Sequence, residues 1–131
     1  MLALDTNVLV RYLAQDDVKQ SAAATHLIEQ RLSPTERGFV SLVALRETVW
    51  VMQSRYAADA ALIAGILFDL LDTSVLELQD AAAVRAALPR YRVGGVDLHD
   101  CLIVGLAEQR GARVVTFDAK AAKRLSMELL R

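Results

Sequence analysis

An α/β fold, layered as an α/β/α sandwich on a mainly parallel central sheet, is the class this sequence predicts. Three observations predict it. Short apolar runs at Met1 to Leu4, Phe39-Val40, Val75 to Leu78 and Arg113 to Phe117 alternate with longer stretches of helical period. Strands separated by helices pair in parallel through right-handed crossovers, with helices covering the sheet. The chain's 131 residues are 54% hydrophobic, with only two prolines and six glycines. That composition suits one compact domain over residues 1–131, without flexible linkers or repeats.

In chain order, Met1 to Leu4 predicts a short buried strand and Asp5-Thr6-Asn7 a turn into a helix over Val8 to Ala14. A second helix follows over Val18 to Arg31, with Ala22, Ala23, Leu27 and Ile28 on its apolar side. Ser33 to Gly38 is a loop by composition, and Phe39-Val40 a strand. Ser41 suits the N-cap of a helix reaching Tyr56. Ala58 to Asp72 carries Leu62, Ile63, Ile66, Leu67, Leu70 and Leu71 at amphipathic spacing. Val75 to Leu78 predicts a strand, and Asp80 the cap of a short helix ending near Pro89. Gly94-Gly95 opens a turn. Leu98 to Arg110 is a nearly all-apolar helix that must be buried, with Gly111 at its C′ position. Arg113 to Phe117 is a strand, Asp118 to Leu125 a helix, and Met127 to Leu130 a last strand.

Composition excludes some functions. No apolar stretch approaches the roughly 20 residues of a membrane helix, and no basic leader precedes Asp5. The single cysteine, Cys101, forms no internal disulfide, in keeping with a cytoplasmic protein, and suits a small core residue. Fifteen basic and sixteen acidic residues leave a formal charge of −1, so any nucleic-acid footprint must be local. Walker A, G-x-G-x-x-G and G-x-S-x-G patterns are all missing, and His26 and His99 lack metal-ligand spacing and suit the surface.

What remains is a pattern of acids. Asp5 follows the first strand and Asp118 the strand ending at Phe117, while Asp97 and Asp100 open the apolar helix one turn apart. Ligand sites in open α/β sheets collect beyond the carboxyl ends of strands. Glu47 lies mid-helix between Val43 and Val51, with Trp50 on its side, where an unpaired carboxylate is costly to bury. Arg11 or Arg46 offers it an ion-pair partner. Carboxylates about 4 Å apart repel by roughly 4 kcal/mol per pair at a dielectric near 20, and a divalent cation relieves that. Hard oxygen donors without a Cys/His set favour Mg²⁺, with Mn²⁺ as substitute, and suit phosphodiester hydrolysis by a metal-activated water. Each acid also has a plain role: Asp5, Asp97 and Asp118 suit N-caps, and Asp100 suits a first helical turn. One metal site accounts for all five more economically. Thr6, Asn7 and Thr116, beside these acids, are candidates for positioning water or phosphate.

These residues resemble a known family. Leu4-Asp5-Thr6-Asn7-Val8-Leu9 is similar to the opening of a PIN domain, and Leu45-Arg46-Glu47-Thr48 to its second acidic motif. Asp97-Leu98-His99-Asp100-Cys101-Leu102-Ile103 resembles the third, and Val115-Thr116-Phe117-Asp118 the fourth. A free-standing domain of this size resembles the VapC toxins of bacterial type II toxin–antitoxin pairs. The resemblance implies an Mg²⁺-dependent endoribonuclease acting on structured RNA such as tRNA or rRNA. It implies neutralisation by a VapB-type antitoxin, and homodimers. Carried over by position, Asp5 and Asp100 are the metal ligands, Glu47 and Asp118 complete the catalytic acids, and Asp97 is auxiliary.

RNA would need local positive charge, for which Arg11, Arg46, Arg90, Arg92, Lys120, Lys123 and Arg124 are candidates. A haloacid-dehalogenase-type phosphatase requires an aspartate where Asn7 stands, and a receiver domain a phosphorylatable aspartate where Leu78-Gln79 stands. The alternatives that survive are a catalytically silent PIN-like module that binds RNA or a partner, and a housekeeping PIN nuclease.

Overall fold

The computed structural model describes residues 1–131. Strands and helices alternate as expected: β1 (Leu2–Ala3), α1 (Thr6–Ala14), α2 (Val18–His26), β2 (Gly38–Val40), α3 (Leu42–Arg55), α4 (Ala60–Leu71), β3 (Leu76–Leu78), α5 (Ala81–Tyr91), α6 (Leu98–Gln109), β4 (Val115–Thr116), α7 (Ala119–Leu125) and β5 (Glu128–Leu129). Every strand pairing is parallel. The fold class is therefore α/β, as the alternation predicts.

Two compact units divide the chain: Met1–Asp59 with Asp69–Gln79, and Ala60–Phe68 with Asp80–Arg131. In the first, β1, β2 and β3 form a sheet in that order, with Leu2 opposite Gly38 and Val40 opposite Leu78. Leu9, Val40, Leu45 and Leu76 are buried in it. Arg37 stitches the sheet, donating to the Leu76 carbonyl (2.7 Å) and pairing with Glu77 (3.2 Å). In the second unit β4 pairs with β5, Thr116 opposite Leu129. Its α5 and α6 pack closely, burying Ala83, Val84, Leu88, Cys101 and Leu102. A Cβ on Gly105 of α6 would lie 2.8 Å from the Ala83 carbonyl oxygen of α5, so only glycine permits this approach.

The structure departs from the sequence expectations in places. The strand β1 is not buried throughout: Ala3 is exposed and only the following Leu4 is covered, since β1 is the edge of its sheet. The second helix faces inward through Ser21, Ala24 and Ile28 rather than Ala22 and Ala23. Alanine carries too little apolar surface to set a helix's rotation when Ile28 and Leu32 compete for burial. Its last turn, Leu27–Arg31, widens to a π-helix closed by the Leu32 N–H on the Leu27 carbonyl (2.9 Å). Asp80 precedes α5 in a left-handed conformation, and its side chain makes no capping bond. That helix runs through Pro89 to Tyr91, because Leu88 and Tyr91 are both buried and hold the final turn. In α6 the burial is incomplete, with Ile103 exposed.

Candidate active site

In the first unit, Asp5 stands just past β1 with extended backbone and caps α1. One carboxylate oxygen, Oδ1, accepts the Thr6 N–H at 2.8 Å. The capping role and a ligand role are compatible, because Oδ2 makes no bond to protein. Thr6 is buried, whereas Asn7 is exposed and borders a cavity of about 300 Å³ between α1 and α2, with Val8, Arg11 and Leu27 also on its wall.

Glu47 corrects an expectation. It is exposed, because α3 buries Ala44, Leu45, Thr48, Val49 and Met52, and Glu47 shares the opposite face with Val43 and Trp50. Those two apolar residues are themselves 80% and 63% exposed, so neighbours that read as core are surface. The Glu47 carboxylate makes no hydrogen bond or ion pair, with Arg11 or Arg46 or any other residue, and stays solvated. No buried charge has to be compensated.

In the second unit, Asp97 adopts N-cap geometry at α6 (φ −75°, ψ 142°), yet its side chain makes no capping bond. Its carbonyl accepts the Cys101 N–H at 3.1 Å. Asp100, half-buried in the first turn of α6, likewise has no hydrogen-bond partner. Burial, and then the Asp100 carboxylate, push the Cys101 thiol up to about 11. A thiol so placed is protonated at neutral pH and serves as core, not as nucleophile or ligand.

Asp118 follows β4 and caps α7, its Oδ1 accepting the Ala121 N–H at 3.0 Å. Its own N–H donates to Thr116 Oγ1 at 3.0 Å. Thr116 thus orients Asp118 through the backbone. Of the candidate cations, Arg11 is held by Asp16 (3.0 Å) and Arg90 by Glu108 (2.8 Å), while Arg46, Arg92, Lys120 and Lys123 carry no ion pair. Both histidines are exposed, as their spacing predicts.

The structure therefore puts Asp97 and Asp100 on one helical turn, ties Thr116 to Asp118, and seats Asp5 beside Thr6. Within neither unit do three or more His, Cys, Asp or Glu side chains gather into a group that could hold a metal ion. The donor chemistry does fit a hard divalent cation: every candidate is a carboxylate, Glu47, Asp97 and Asp100 are wholly unpartnered, and Asp5 and Asp118 each keep one free oxygen.

Sequence reasoning missed a polar cluster beside the cavity. Asp16 accepts hydrogen bonds from Arg11 and from the Tyr56 hydroxyl, and Arg11 Nε donates to Gln20 at 2.8 Å. The Tyr56 hydroxyl, more than the arginine, holds the Asp16 carboxyl below its ordinary range, and Asp16 raises the tyrosine in turn. Forty residues separate Asp16 from Tyr56, and no local pattern signals the pair.

No curated protein matches this chain. A family model does, over residues 2–126, from β1 to the residue that follows α7, a span that includes Asp5, Glu47, Asp97, Asp100 and Asp118. The chain belongs to the PIN domain family, a nuclease superfamily.

Proposed function

We propose that this protein is an Mg²⁺-dependent endoribonuclease, the toxin of a type II toxin–antitoxin pair, hydrolysing structured RNA such as tRNA or rRNA. One observation supports the proposal: Asp5, Glu47, Asp100 and Asp118, which the resemblance places in the four acidic motifs of a PIN domain, each retain an oxygen unbonded to protein.

Asp5 and Asp100 are the proposed ligands of Mg²⁺, for which Mn²⁺ substitutes, with Asp97 auxiliary. The ion would supply Lewis-acid charge to the scissile phosphate and lower the pKa of water. Asp5 Oδ1 is anchored by the Thr6 N–H, which leaves Oδ2 unbonded to protein. Glu47 and Asp118 orient the attacking water, and Thr116 holds Asp118 for that task. Asn7, exposed beside Asp5, positions a phosphate or water. Neutralisation by a VapB-type antitoxin and a homodimeric state, both from the resemblance, and work in the cytoplasm, in keeping with the single cysteine, complete the proposal. No helix is long and apolar enough to cross a membrane.

The test against a binding-only domain is Asp5→Asn. Asparagine keeps the cap and removes the charge. Folded Asp5→Asn protein that no longer cuts RNA supports an enzyme with this site. Undiminished cleavage would sink the assignment. Expression of the chain should also arrest bacterial growth, and a gene adjacent to it should relieve the arrest.

A further inference from the structure

We infer that Phe117 stacks on an unpaired nucleobase and so seats single-stranded RNA at the carboxyl end of β4, next to Asp118. The inference rests on the nuclease proposal and specifies which part of the RNA that site takes.

Phe117 is 80% exposed, in a chain with only three phenylalanines. Nor is it carried on a loose loop. On one side, Thr116 is paired with Leu129, and its carbonyl accepts the Leu130 N–H at 2.8 Å. On the other, the Asp118 N–H is bonded to Thr116 Oγ1 and the Asp118 carboxylate to the Ala121 N–H, each at 3.0 Å. A phenyl ring is thus held out to water on a fixed turn, where it forfeits the gain of burial. Val115, in β4 two residues earlier, is also 52% exposed, so apolar surface is left uncovered on both sides of Thr116.

Charge decides what suits this platform. Lys120 and Lys123 follow within α7, both exposed and without acidic partners. Arg124 is spent on a neutral acceptor, the Gly95 carbonyl at 3.1 Å, so its charge is uncancelled. A bare aromatic ring beside unpaired cations matches single-stranded nucleic acid, whose bases stack while its phosphates meet lysine. Base-paired RNA offers no free base face to stack on.

The test uses the whole protein in EDTA, so that binding is read without cleavage. The chain's one tryptophan, Trp50, allows a clean probe in the double variant Trp50→Phe, Phe117→Trp. Titration with short oligoadenylate or oligouridylate should quench its fluorescence, and a duplex of equal length should not. In parallel, Phe117→Ala should weaken single-strand binding, read by anisotropy of a labelled oligonucleotide, about tenfold, within the range base stacking gives. Duplex binding should be unchanged. If the double variant fails to fold by circular dichroism, the Phe117→Ala comparison decides alone. Equal single-strand affinity for wild type and Phe117→Ala overturns the inference, and lost self-association in that variant would instead mark a protein interface. Quenching by a protein that never cuts RNA would leave the stacking intact and refute only the nuclease proposal.

Discussion

Asp5 and Asp118 each use one carboxylate oxygen to cap a helix and leave the other free. Capping needs an acceptor; the proposed metal-dependent catalysis would need a negative charge. Substitution separates the two. Asp118→Ala should lose about 1 kcal/mol of stability with its cap, whereas Asp118→Asn should unfold within about 0.5 kcal/mol of wild type in urea. Both should lose RNA cleavage. A stable, fully active Asp118→Asn protein would make that residue a cap and nothing more. Cys101 makes a second residue-level prediction. With its thiol raised to about 11, it should resist alkylation at mildly alkaline pH in the folded protein and react promptly once denatured. Rapid labelling of native protein would show that the start of α6 opens. The sequence made the identity of these acids legible, because aspartate at a strand end or helix start is a local signal. It misjudged Glu47, because Val43 and Trp50 look like core and are exposed.

Among elements, α5 and α6 approach closely where Gly105 meets the Ala83 carbonyl. Gly105→Ala inserts a methyl group into backbone that cannot yield, and should cost about 1–3 kcal/mol, seen as a lower midpoint in thermal melts. An unchanged melt would mean that the two helices part easily. The Arg11–Asp16–Tyr56 cluster joins the end of α3 to the link between α1 and α2. Because the Asp16 carboxyl lies below its ordinary range when folded, its contribution is complete above that range and is lost as pH falls through the lowered value. The raised Tyr56 hydroxyl contributes below the ordinary phenol value and loses that contribution as pH rises through the raised one. Tyr56→Phe should therefore be less stable than wild type by a constant gap near neutrality, with the gap closing in acid and in alkali. A gap independent of pH would separate the tyrosine's role from ionisation. Elements with strong local signals were legible: Ser41 caps α3 on the Ala44 N–H, and Gly111 takes a left-handed conformation just after α6. Features set by distant contacts, such as the rotation of α2 and the passage of α5 through Pro89, were not.

For the whole molecule, strand–helix alternation foretold an α/β fold with parallel pairing, and the ordered acidic motifs foretold the family found over residues 2–126. The division into two compact units was not legible, since it depends on which elements contact one another rather than on any stretch of sequence. With a formal charge of −1, the proposed RNA binding must rest on local cations, so it should weaken with added salt. The most direct measurement is cleavage of total bacterial RNA by purified protein, with Mg²⁺ or EDTA, beside Asp100→Asn. Discrete fragments produced only by wild type with Mg²⁺ are the predicted result. Equal fragments in EDTA, or from a folded Asp100→Asn variant, would contradict a metal-dependent nuclease built on these acids.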